Sequence, residues 1–360
     1  MDTNKKVSLE PKISAVDLFC GAGGLTQGLL QAGLSVSAGY DIEGACRYAY
    51  EKNNNASFIE KSVSDLAVEE LIDLYPKGAI KVLVGCAPCQ PFSKYTQSMR
   101  NDKITDEKWR LLYDFLRLVE GVEPEIVSME NVIEIQRHKV FYDFVLSLEN
   151  MGYHVFYTEV FCPDYGVPQQ RKRLVLLASR LGKIELYPPH SSPYVTVRQA
   201  IGSLRNLDAG EVDPADSLHR ASRLSELNMK RIKHSHPGGN WRDWPEELIA
   251  KCHIRSSGKT YPSVYGRMEW DKPSPTITTQ FFGFGNGRFG HPEQNRALSL
   301  REGAILQSFP HNYEFVSQES KLSFSHLGKM IGNAVPVKLG EAIGKSILNH
   351  IKTSGGKDAL

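Results

Sequence analysis

The sequence predicts an α/β fold, a doubly wound and mostly parallel sheet accompanied by a smaller, irregular second domain. Between residues 13 and 179, short β-branched runs alternate with stretches whose apolar residues recur at helical spacing. That is the signature of strands joined by crossover helices. Beyond residue 181 the alternation stops, and Pro, Gly, Ser and aromatic residues dominate until a last helical pattern at 337–351. Such a texture reads as turn-rich.

Strands are expected at 13–19, 34–40, 81–85, 125–130, 153–160 and 173–179, and helices at 24–33, 45–53 and 138–152, two of them ending near Gly. No helical stretch separates the last two strands, which predicts an antiparallel end to the sheet. The length of 360 residues, 41% hydrophobic and 23% charged, suits about two domains. The expected boundaries are 1–181, an inserted 182–325, and 326–360 as a helix returning to the first domain. No run approaches the roughly 20 apolar residues of a membrane span, and the N-terminal residues lack the apolar run of a signal peptide. A cytoplasmic protein is expected. Six scattered cysteines do not form a disulfide scaffold, and a net charge of +2 does not announce a nucleic-acid partner.

Chemistry concentrates where predicted strands end. Asp17-Leu18-Phe19-Cys20-Gly21-Ala22-Gly23-Gly24-Leu25-Thr26 places glycines between a strand and a helix, where backbone N–H groups can meet a ligand closely. Asp41, ending the next strand, suits the two hydroxyls of a ribose. A dinucleotide fingerprint written from Gly21 would need Gly or Ala at Thr26, so a methionine nucleoside such as S-adenosylmethionine is the better match; a turn that only permits tight packing is the alternative. Cys86-Ala87-Pro88-Cys89 follows strand 81–85. A redox pair and a zinc half-site both compete with a nucleophilic thiolate on a proline-braced loop, though no second Cys or His pair at finger spacing supports zinc and no metal site is expected. Glu130 ends strand 125–130, and Arg171 and Arg173 share one face at the entrance to strand 173–179. Two guanidiniums side by side suit a carboxylate or a phosphate.

In order along the chain, DLFCGAGGLTQG (17–28), Asp41-Ile42-Glu43, GCAPCQPFS (85–93), MENV (129–132), QQRKRL (169–174), KPSPTITT (272–279) and GNAVPV (332–337) resemble the DNA (cytosine-5)-methyltransferase family of bacterial restriction-modification type. The resemblance covers nearly the whole chain after the first dozen residues. It implies a Rossmann-like, S-adenosylmethionine-dependent methyltransferase domain with an inserted target-recognition domain, acting as a monomer on double-stranded DNA. A cognate restriction endonuclease on the same site is a further expected partner. Cys89 matches the nucleophile that adds to C6 of a flipped-out cytosine, Glu130 the acid that hydrogen-bonds N3 and the exocyclic amine, and Arg173 and Arg171 the side chains that hold the base carbonyl and that carboxylate. Phe19, Gly21, Gly23, Gly24 and Leu25 match methionine-side contacts, Asp41 the ribose acceptor and Ile42 the cap over adenine. Val63, Pro88, Asn333 and Val335 complete the expected donor pocket. Many members carry an acid near position 62, where this chain has Ser62, which leaves the adenine contact open.

Residues 94–109 read as a polar lid, with Gln90, Ser93, Lys94 and Arg100 as expected DNA contacts. Between 219 and 242, six basic residues stand against one acid. Such a run is either a solvated face or a phosphate-binding patch. Arg231, Lys233, Arg242, Arg267 and Arg288 are the expected contacts. A tRNA-acting relative and a catalytically silent DNA-binding relative are the rival readings.

Overall fold

The computed structural model describes residues 12–88, 103–255, 262–317 and 323–354, with backbone alone over 103–109. Strand β1 (Ile13–Leu18) runs into helix α1 (Gly24–Ala32), β2 (Val36–Asp41), α2 (Arg47–Asn53), β3 (Ser57–Glu60), α3 (Val68–Ile72) and β4 (Ile80–Gly85). Then come α4 (Lys103–Val122), β5 (Ile126–Asn131), α5 (Lys139–Asn150), β6 (His154–Phe161) and β7 (Lys172–Ser179). The seven strands form one sheet in the order β3-β2-β1-β4-β5-β7-β6. β1, β2, β3, β4 and β5 pair in parallel, and β7 is antiparallel to both neighbours. The expected α/β sheet and its antiparallel end are therefore present. β3 escaped the sequence reading because four residues at an edge, two of them exposed, carry almost no periodic signal.

Side-chain alternation builds two cores. Val16, Leu18, Leu83, Val127, Leu174, Leu176 and Ala178 pack under α4 and α5, against Phe115, Val119, Phe141 and Phe144. Ala15, Val82, Val84, Ile126, Val175 and Leu177 face the other way and meet α1. The lid expected over 94–109 is corrected by α4, which begins at Lys103. Its Leu112, Phe115, Val119 and Val122 supply a helical stripe to the first core. Residues 94–102 lie outside the described residues.

After β7 the described residues form the short α-helices α6 (Val197–Ile201), α7 (Glu226–Lys233), α8 (Lys251–Ile254) and α9 (Leu300–Leu306), followed by α10 (Phe324–Asn333) and α11 (Val337–Ser354). α11 docks on α1, contributing Leu339, Ala342, Ile343 and Ile347 to the second core. Gly28 makes this approach possible, because a Cβ there would stand 2.5 Å from Glu341 N and against the Val337 carbonyl. The expected boundary at 325/326 falls inside α10. Leu327 and Ile331 of that helix share a cluster with Phe281, Leu300, Phe309 and Tyr313 of the preceding segment and with Tyr50 and Phe58 of the first. Continuous apolar packing across that position leaves no break in the fold there.

Candidate active site

The strand order reverses direction between β1 and β4, so the loops leaving their C-terminal ends diverge and open a crevice. One wall is the glycine turn after β1. Phe19, Gly21 and Gly23 have φ of 61°, 50° and 87°, all left-handed. Gly23 has no room for a side chain, since a Cβ would lie 2.5 Å from Asn54 Nδ2 and 3.0 Å from the Tyr313 hydroxyl. Gly24 meets the Val335 carbonyl in the same way. Asp41 Oδ2 accepts from Gly21 N at 2.8 Å and Oδ1 from Glu43 N at 2.9 Å. Each oxygen retains a lone pair for a ligand hydroxyl. Burial pushes the Asp41 carboxyl above its ordinary range, with the two backbone donors opposing it. Beside it, Ile42 stands 76% exposed, an apolar side chain with its face free for a flat ring.

Other expected pocket residues sit differently. Leu25 and Val63 are buried in the two sheet cores. Their side chains are committed to packing, which leaves the backbone as what they present. Val63 O, for instance, accepts from Arg117 Nη2 at 3.1 Å. Ser62 caps the turn by accepting from Ser64 N. Asn333 ends α10 exposed, and Val335 is buried with its carbonyl over Gly24.

Beneath the glycine turn lies a polar network that spacing could not reveal. Thr26 Oγ1 donates to Asp17 Oδ2 at 2.7 Å and meets the Tyr50 hydroxyl at 3.0 Å. Tyr313 OH donates to Ala22 O at 2.5 Å and accepts from Asn54 Nδ2 at 3.1 Å. Burial raises the Asp17 carboxyl to about 7, against the opposing Thr26 bond. Thr26, which breaks a dinucleotide fingerprint, has this bracing role as its physical reason.

The second wall joins β4, β5 and β7. Glu130 pairs with Val175 in the ladder, which places Arg173, two residues away, on the same face. Glu130 is 2% exposed, and Arg173 Nε lies 2.8 Å from its Oε1. Cys86 Sγ donates to Glu130 Oε2 at 2.7 Å. Asn131 Nδ2 donates to Ala87 O at 3.2 Å, tying the turn after β4 to β5. Pro88 is exposed at the end of that turn. Cys89, Gln90, Ser93, Lys94 and Arg100 lie outside the described residues.

Arg171 does not share this pairing. It is buried, and donates through Nη1 to Ile277 O at 3.0 Å and Gln169 Oε1 at 3.3 Å, and through Nη2 to Gly332 O at 3.4 Å. Burial, then Arg173, lower its pKa to about 9. It precedes β7 rather than lying within it, so strand alternation does not extend to it, and it joins three segments of the chain.

The basic residues after β7 divide sharply. Arg267 is buried and donates to the carbonyls of Ser235, His291, Gln294 and Ile232 and to Asn295 Oδ1. Arg231 donates to Leu248 O and Asn228 Oδ1 beneath the rings of Trp244 and Tyr265. Arg288 holds Gly239 O at 2.6 Å. Arg231 and Arg267 are corrected to buried internal ties, and half-buried Arg288 commits its Nη1 inward, because irregular backbone leaves carbonyls that side-chain donors satisfy. Lys233 and Arg242 are exposed.

A seven-stranded, mostly parallel sheet in the order β3-β2-β1-β4-β5-β7-β6, with β7 antiparallel to both neighbours, defines the S-adenosylmethionine-dependent methyltransferase fold. The chain belongs to the C-5 cytosine-specific DNA methylase family, whose model matches residues 13–349. It is thus a DNA (cytosine-5-)-methyltransferase. It is similar to the Type II methylase M.HgiDII of Herpetosiphon aurantiacus, 56% identical over 94% of this chain and 96% of that protein. The Type II methyltransferase M.PspPI of a Psychrobacter species is 31% identical over 97% of this chain and 83% of its own length. Among solved structures, one encoded within an Escherichia coli prophage superposes with a TM-score of 0.67 at 20% identity, covering 95% of this chain and all of the other. The Entamoeba histolytica methyltransferase EhMeth gives 0.64 at 15% identity over 96% and 99%. Both show the same fold.

Proposed function

We propose that the enzyme methylates C5 of a flipped-out cytosine within one duplex DNA sequence, through a covalent adduct between Cys89 and C6, as the modification half of a bacterial restriction-modification pair. The observation that carries this reading is the buried Glu130 carboxylate, clamped by Arg173 beside the turn that leads to Cys89. Cytosine is too electron-poor at C5 to attack a methyl group directly. Addition of the Cys89 thiolate to C6 makes C5 nucleophilic, and Glu130, giving a proton to N3 and accepting from the exocyclic amine, offsets the charge pushed into the ring. C5 then takes the methyl group and gives its proton to solvent, and the C6–S bond breaks to restore the thiolate and the aromatic ring. Arg173 orients Glu130 and the base carbonyl.

The crevice fits S-adenosylmethionine. Its left-handed glycines leave backbone bare, and both oxygens of Asp41 can still accept from a ribose. Phe19, Gly21, Gly23 and Gly24 would hold the methionine end with the backbone of Leu25, Asp41 the ribose, and Ile42 and Val63 the adenine side. Pro88, Asn333 and Val335 would close the pocket. When bound, this group supplies an electrophilic methyl on a sulfonium. The turn-rich insertion, with exposed Lys233 and Arg242, is assigned to DNA recognition, and residues 1–181 with the C-terminal helix to catalysis. Relatives named Type II methylases support a cognate endonuclease partner; a monomeric enzyme in a bacterial cytoplasm completes the proposal.

Purified enzyme with labelled S-adenosylmethionine should transfer methyl to unmethylated duplex DNA and not to tRNA, and bisulfite sequencing should show one recurrent target. Duplexes carrying 5-fluorocytosine at that target should form an SDS-resistant adduct that Cys89→Ser abolishes. Label entering tRNA alone, or turnover on DNA without a trappable adduct, overturns the reading.

A further inference from the structure

We propose that Cys86 is a positioning residue for Glu130, its thiol holding Oε2 in the base-free enzyme and ceding that oxygen when the target base enters. This rests on the role given to Glu130 above. The Glu130 carboxylate is almost wholly buried, so both its oxygens require donors. Arg173 in β7 forms an ion pair with Oε1 at 2.8 Å, and Cys86 in the turn after β4 donates to Oε2 at 2.7 Å, from opposite sides of β5. The Cys86 turn is itself fixed to β5 through Asn131 and the Ala87 carbonyl, so thiol and carboxylate are held by adjacent residues of one strand.

A thiol is a weak donor. It orders the carboxylate without competing strongly with an N–H of the base, which makes it a replaceable placeholder. Among the described residues, the charged and titratable groups facing Glu130 are Arg173 and Cys86 in contact, with Arg171 and Cys162 acting on it at longer range. Removing one donor to a carboxylate favours its protonated form.

The test uses Cys86→Ala, Cys86→Ser and Glu130→Gln in the full chain, on unmethylated duplex DNA bearing the target site. Cys86→Ala is expected to lower kcat/KM for DNA on the order of tenfold. It should also change the pH–rate profile. Its Kd for S-adenosylmethionine and its melting temperature should match wild type. Cys86→Ser, which restores an O–H donor, should return both rate and pH profile toward wild type. If Cys86→Ala shows a wild-type pH profile and rate while Glu130→Gln is inactive, the Cys86 inference alone is overturned. A Cys86→Ser enzyme as impaired as Cys86→Ala also overturns it, since packing rather than donation would then be at work. A fully active Glu130→Gln overturns the reading of Glu130 itself, and the inference with it.

Discussion

From β1 to β7 the buried backbone is satisfied by strand ladders, and side chains alternate cleanly between two cores. Between residues 205 and 302 the described ladders shrink to isolated bridges such as Val212 with Arg220, Pro237 with Arg267 and Gly290 with Ala297. There, buried arginines take over. Arg267 ties four carbonyls, Arg231 one, and Arg301 holds Tyr313 O while pairing with Asp216. Arg296, fully buried, grips both oxygens of Glu302 at 2.7 Å. A guanidinium offers five donors in a fixed fork, so one residue replaces several missing ladder bonds. Positive charge in the sequence of this half therefore marks architecture at Arg231, Arg267, Arg296 and Arg301.

Breaking the Arg296–Glu302 pair should have the largest effect. Glu302→Ala leaves a buried guanidinium uncompensated, and urea denaturation should show a loss of about 3–5 kcal/mol. A loss below ~1 kcal/mol would place the strength of this half elsewhere. Next comes Leu176→Ala in the sheet, expected to cost about 2–5 kcal/mol by cavity formation alone, with no added sensitivity to pH.

Acid separates the halves further. Burial would raise the Glu302 carboxyl, but Arg296 overrides it and holds the pKa at about 2, while burial lowers His291 to about 4. For both groups the folded pKa lies below the ordinary value, so their stabilisation is complete above about pH 6.5. It is lost as pH falls, first through the His291 range and then below 4.5 through that of Glu302. Because the raised Asp17 carboxyl gives the opposite trend over the same range, the loss is read as the denaturation stability of wild type relative to His291→Asn, and a difference that stays flat from pH 7 to pH 5 would count against it.

The smallest structural effect is expected from Lys233→Ala, within about 0.5 kcal/mol of wild type. Its signature lies in DNA binding, where the salt slope should fall by roughly one. Arg231→Ala, two residues away, should show the reverse, clear destabilisation ahead of any change in salt slope. Equal effects in both variants would erase the distinction between buried and exposed basic residues.

Local pattern made six of the seven strands and the helices over 24–33, 45–53 and 138–152 legible, along with the glycine turn, Asp41 and Glu130 at strand ends. Backbone geometry repeats every two residues in strands and every 3.6 in helices, so a run of a few residues already reports which face is buried. β3 was too short for that repeat, and α4 began within a polar stretch.

Partners far apart in sequence carry no such periodic record. Tyr313 braces Ala22 from 291 residues away, Arg171 ties Ile277 and Gly332, and Cys86 meets Glu130 across two strands. Arg231 and Arg267 look like any other basic residue along the chain, and only closure of the irregular half turns their donors inward. Periodicity decided which segments form the sheet. Tertiary packing decided which polar side chains were left in water, because a donor's partner is set by where the chain returns.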